Sequence, residues 1–141
     1  MNYNEKAEEL FTILITRKKY LKEIPFNFSQ GENGALLYLN FVKDNVTITE
    51  LTEVLGVSLP RVVSIINSLE TKKLISKNPD SNDKRKVLIT ITEKGKKLIL
   101  NQKQKSIKKI ATVIQGLTEE EIIQYIEITK KMGKIEEMQE E

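Results

Sequence analysis

Apolar positions recur at helical spacing through most of this chain, interrupted near its middle by a stretch that reads as a β-hairpin. Ala7, Leu10, Phe11, Leu14 and Leu21 lie along one side of a helix expected over 5–22. It should stop before Pro25, because the residue ahead of a proline avoids helical geometry. A connector at 24–28 follows, with Phe26 and Phe28 in need of cover. Ser29 and Glu32 stand at capping-box spacing and open a second helix to about Val42, its first turns weakened by Gly31 and Gly34. Asp44 and Asn45 make a turn, and Val46 contributes a short strand residue. Thr47 and Glu50 repeat the box for a short helix ending near Leu55, and Gly56 suits the left-handed position after it. Ser58 caps the next helix, 59–72, with Pro60 tolerated in its first turn. Helix, glycine turn, helix is the helix-turn-helix layout.

The hairpin comes next. Leu74–Lys77 and Val87–Ile91 read as two strands, and residues 78–86 between them carry the Asn, Pro, Asp and Ser of a turn. Thr92 then caps a long helix over 93–114, with Ile107, Ile110, Ala111 and Ile114 as its late stripe; Gly116 ends it. Thr118 and Glu121 form a third box, opening a last helix with Ile122, Tyr125, Ile126, Ile128, Met132, Ile135 and Met138. The expected fold is mostly α with a small antiparallel β-hairpin, an α+β winged helix-turn-helix. Residues 1–28 form an N-terminal helix and connector, 29–92 the winged helix, and 93–141 the C-terminal helices.

Helix 59–72 should turn Val62, Ile65, Ile66 and Leu69 to the core. Its other side carries Pro60, Arg61, Ser64, Asn67, Ser68 and Thr71, small polar groups around an arginine that suit the major groove. The same pattern also suits a solvated helix face. The hairpin tip sets Asp83 beside Lys84, Arg85 and Lys86. A tip buries no core, so a basic one after a helix-turn-helix points to a nucleic-acid backbone and groove. The expected DNA contacts are therefore Ser58, Pro60, Arg61, Ser64, Asn67 and Ser68, with Lys77, Asp83, Lys84, Arg85 and Lys86 on the hairpin.

Composition narrows the chemistry. The 141 residues carry net charge +3 with pI near 9.0, a mild bias toward polyanions. Charge is unevenly placed: from Lys94 to Lys109 every charged residue is basic, and from Glu119 onward acids dominate. The middle can sit on DNA while the C-terminal arm would be repelled. There is no cysteine, hence no disulfide or thiolate nucleophile, and no histidine, hence no imidazole base or His-ligated zinc. No cofactor is implied, and no constellation suggests an enzyme. The polar N-terminus and the lack of a long apolar run imply a cytoplasmic protein with no membrane partner.

The apolar stripes of the terminal helices run to the chain ends, where a single copy has little core to offer. Such stripes usually meet a partner helix, so a homodimer built near 5–22 and 107–138 is expected. A monomeric bundle capping the winged helix is the alternative.

Residues 46–95 resemble the MarR (multiple antibiotic resistance regulator) family of bacterial transcription factors. The matching strings are Ile48-Thr-Glu-Leu-Thr-Glu-Val-Leu-Gly-Val-Ser58, Leu69-Glu-Thr-Lys-Lys-Leu-Ile75, and Asp83-Lys-Arg85 followed by Leu88 and Ile91-Thr-Glu-Lys-Gly95. The resemblance implies a homodimeric regulator, a repressor, on a palindromic operator. Its helix 59–72 would enter the major groove, and Arg85, oriented by Asp83, the minor groove. A carboxylate can hold a guanidinium in this way; the lesser alternative is an idle surface pair. It further implies release by a small aromatic or anionic effector, for which Tyr20, Phe26, Phe28, Tyr38 and Phe41 lie on the lining segments, unless they are simply core. Ser64 and Ser68 stand where relatives are often basic, and Lys73 where they usually have glycine. Either Lys73 is left-handed at a cost of about 1 kcal/mol, or the helix ends differently. The competing reading is a winged-helix module for protein–protein interaction.

Overall fold

The computed structural model of the protein describes residues 1–16 and 31–139. Among these residues the elements run α1 (Tyr3–Thr16), α2 (Gly31–Phe41), α3 (Ile48–Leu55), α4 (Leu59–Thr71), β1 (Ile75–Pro79), β2 (Val87–Ile91), α5 (Glu93–Ile114) and α6 (Glu119–Gln139). This is the winged helix-turn-helix expected. Residues 17–22 of the 5–22 helix, the 24–28 connector and the Ser29 cap lie outside the described residues.

Capping chemistry sets most of the boundaries. Thr47, Ser58 and Thr92 each sit in extended geometry and accept the backbone N–H three residues on, from Glu50, Arg61 and Gly95. The box at α6 is complete: Glu121 N–H donates to Thr118 Oγ1 at 3.1 Å, and Thr118 N–H donates to Glu121 Oε1 at 2.9 Å. At α3 it is half made, because Lys43 Nζ lies 3.3 Å from Glu50 Oε1. Glu50 also faces the buried Tyr38 hydroxyl. Burial first, then the charge and hydrogen bond of Glu50, push that phenol up to about 12.

The α2, α3 and α4 side chains close around one core of Leu36, Leu37, Leu51, Leu55, Val62, Ile66 and Leu69. The hairpin shuts it from below, pairing β1 with β2 in antiparallel register from Ile75 opposite Ile91 to Pro79 opposite Val87. Val46 adds the expected strand residue by exchanging two backbone hydrogen bonds with Ile89. β1 runs two residues beyond the expected Lys77, since an edge strand accepts a proline. Where α5 starts, a Cβ on Gly95 would overlap the Leu74 carbonyl oxygen and come within 2.8 Å of Ile91. That close approach explains the glycine.

The terminal helices differ from expectation in two respects. The α1 stripe of Ala7, Leu10 and Phe11 is buried within its own chain, where α1 packs on α5 and α6. Phe11 meets Phe41 edge-on at 5.9 Å, beneath the Lys103 ammonium. The apolar residues of α6 divide into two faces rather than one stripe. Ile122 and Ile126 turn inward, whereas Tyr125, Ile128, Met132, Ile135 and Met138 are exposed. No helix among the described residues is long and apolar enough to cross a membrane.

Candidate nucleic-acid interface

Helix α4 is amphipathic in the expected sense. Val62, Ile65, Ile66 and Leu69 are buried, while Pro60, Arg61, Ser64 and Asn67 are exposed. Two apolar residues also face outward, Leu59 at 53% and Val63 at 38% exposure. Periodicity alone missed them, because Val63 adjoins the core position Val62. On an interface of this kind they suit the thymine methyl group. The helix ends as Lys73 takes a left-handed φ of 62°, so the strained alternative for this non-glycine residue is the one adopted. Thr92 Oγ1 donates to the Lys73 carbonyl at 2.8 Å and holds the bend.

Two cross-ties fix the polar face of α4. Glu32, at the start of α2, takes Lys72 Nζ at 2.8 Å on one oxygen and 3.0 Å on the other, and accepts the Ser68 hydroxyl as well. Donation by Lys72 first, then by Ser68, holds its carboxyl below the usual 4.5. Ser68, expected on the DNA, is thus committed to α2. On the other flank Lys77 Nζ donates to Asn67 Oδ1 at 2.7 Å and lies 3.5 Å from Glu70 Oε1. Lys77, expected on a phosphate, is folded back onto the helix. Neither tie is readable from spacing, since the partners sit on separate elements.

The tip is organised differently. Asp83 Oδ1 accepts the Arg85 backbone N–H at 3.1 Å and the Arg85 Nε–H at 3.2 Å. The same bonds, the backbone one foremost, lower the carboxyl below its ordinary 3.8. Lys86 N–H donates to the Asp83 carbonyl, and Asp80 N–H to that of Lys86, closing the loop. Arg85 nevertheless leaves 92% of its side chain in solvent, and Lys84 and Lys86 are exposed beside it. Asp83 therefore grips the inner edge of the guanidinium and leaves its outer nitrogens free to reach a groove. Between tip and α3, a cleft of about 490 Å³ is lined by Thr47, Ile48, Thr49, Arg85, Lys86 and Val87.

Residues 32–86 match the model of the MarR family. Over that stretch the chain is similar to the family. The match spans α2 through the wing tip. Solved structures extend the likeness to the terminal helices. A variant of MepR from S. aureus is 26% identical over 82% of this chain and 84% of its own, with TM-score 0.63. FabT from Streptococcus pneumoniae, solved in complex with DNA, is 25% identical over 96% of both chains, with TM-score 0.62. MarR from E. coli is 22% identical over 89% and 91%, with TM-score 0.61, a likeness of fold.

On this frame the aromatic residues considered for an effector divide. Tyr38 and Phe41 are engaged in the packing described above; Tyr20, Phe26 and Phe28 lie outside the described residues. A separate open groove of about 480 Å³ lies between the end of α4 and the start of α5. It has a Leu74 and Leu98 floor and Lys72, Lys94, Lys97 and Asn101 around it. Lys94 Nζ donates to the Lys72 carbonyl at 3.1 Å, tying the two rims together.

Proposed function

We propose that the protein is a cytoplasmic, homodimeric transcriptional repressor that binds a palindromic operator. The observation that carries this reading is the wing. Arg85 is held at one edge by Asp83 and is otherwise in water, on a hairpin tied to the exposed face of α4 through Lys77 and Asn67. An arginine so presented gains from the negative potential of a narrow minor groove, while Arg61, Ser64 and Asn67 meet base edges in the adjoining major groove. The DNA complex of FabT, alike across both chains, supports the same use of this fold.

A second copy accounts for the outer face of α6. Tyr125, Ile128, Met132 and Ile135, with Val113 and Leu117 at the end of α5, form an apolar surface that one chain leaves exposed. A two-fold dimer would cover it and set two recognition helices about 34 Å apart, one turn of duplex. Ile128→Asp should then yield monomers by light scattering.

The decisive experiment is a footprint on the DNA flanking the gene. Two protected half-sites one helical turn apart are expected. If no duplex is retained at low salt, the protein–protein interaction reading takes over. For release by an effector, the lysine-rimmed groove between α4 and α5 suits a small aromatic anion. Phenolic acids should raise the melting temperature and weaken DNA binding; a screen with neither effect removes this part of the proposal.

A further inference from the structure

Taking α4 as the groove-reading helix proposed above, we infer that Asn67, held by Lys77, selects guanine rather than adenine. An asparagine amide facing a base edge ordinarily reads adenine with both ends, accepting from N6 and donating to N7. Here that pairing is opposed. Lys77 Nζ approaches the Asn67 side chain to 2.7 Å, and an ammonium has protons but no lone pair. The amide atom facing it must be the carbonyl oxygen, which leaves the NH₂ group turned to the exposed side of the helix.

Glu70 completes the arrangement. Its carboxylate lies 3.5 Å from Lys77 Nζ and holds the ammonium between two residues of one helix. Asn67 and Glu70 are three apart and so share a flank of α4. The carbonyl oxygen of Asn67 keeps a second lone pair, but the ammonium beside it presents positive charge to whatever approaches. An exocyclic amino group meets like polarity there. Guanine, with O6 and N7 both acceptors, meets the amide N–H donors and the remaining ammonium proton. The asparagine–lysine pair thus acts as one donor cluster. Lys77 serves as a positioning residue for Asn67 more than as a phosphate contact.

The test is selection of binding sites from a randomised duplex pool by the wild-type protein, Asn67→Ala and Lys77→Met. Asn67→Ala should abolish the preference at one position per half-site, which identifies the base read. There the wild type should favour guanine over adenine by about tenfold or more. Lys77→Met, which frees the amide oxygen, should shift that position toward adenine and leave the others as they were. A wild-type preference for adenine at the position, no position altered by Asn67→Ala, or guanine retained by Lys77→Met would each overturn the inference while DNA binding stands. If the wild type enriches no duplex at all, the DNA-binding reading fails and this inference with it.

Discussion

The wing tip and the recognition helix face the same proposed partner but are built on opposite plans. The tip is secured by bonds within seven residues, from Asp80 to Lys86, and leaves Arg85 almost wholly in solvent. Helix α4 is secured by partners far along the chain: Glu32 on α2 clamps Ser68 and Lys72, and Lys77 on β1 clamps Asn67. The difference separates affinity from fold. Residues at the tip can change without disturbing the core, whereas the helix shares its polar face with the contacts that place it.

That contrast can be broken or sharpened by substitution. The largest effect is expected beneath α4. Ile66, 1% exposed, should cost about 2–5 kcal/mol of stability as Ile66→Ala, and chemical denaturation should show DNA binding lost in parallel. Arg85→Ala comes next. It should weaken operator binding by about 1–3 kcal/mol in an anisotropy titration with the denaturation midpoint unchanged. A shifted midpoint would mean the tip is not independent of the core.

Glu32→Gln probes the clamp. The folded carboxyl lies below its unfolded value, so the bridge stabilises the protein above about pH 4.5 and is lost as pH falls through the depressed pKa. The variant should therefore show a shallower loss of stability in acid than the wild type, and at neutral pH a deficit of about 0.2–1 kcal/mol. Identical acid limbs would show the clamp to be idle. Lys84→Ala should do least, reducing the salt dependence of binding by about one unit of slope.

The elements were largely legible in the sequence, and for a reason. Thr47, Ser58, Thr92 and Thr118 cap locally, so their spacing announces a helix start before any tertiary contact forms. The tip was legible too, since Asp83 and Arg85 are two residues apart and bond directly. What escaped was the side-chain pairing across elements. Glu32 read as a cap for its own helix, and nothing in its spacing announces Ser68 and Lys72, 36 and 40 residues on. Lys77 read as a free cation because its partners lie on a different element. The two faces of α6 escaped for a related reason: one periodic pattern served both the inside of the chain and its exposed surface.

The glycine at the start of α5 has a mechanical consequence. With no room for a Cβ between Gly95 and the Leu74 carbonyl, the hairpin and the long helix meet on a bearing without clearance. The 22 residues of α5 then act as a lever about 33 Å long, and a tilt of about 5° sweeps its far end through about 3 Å. In a two-fold assembly joined at that far end, the sweep would appear at the wings. Half-site spacing and the depth of the arginine in its groove would change together.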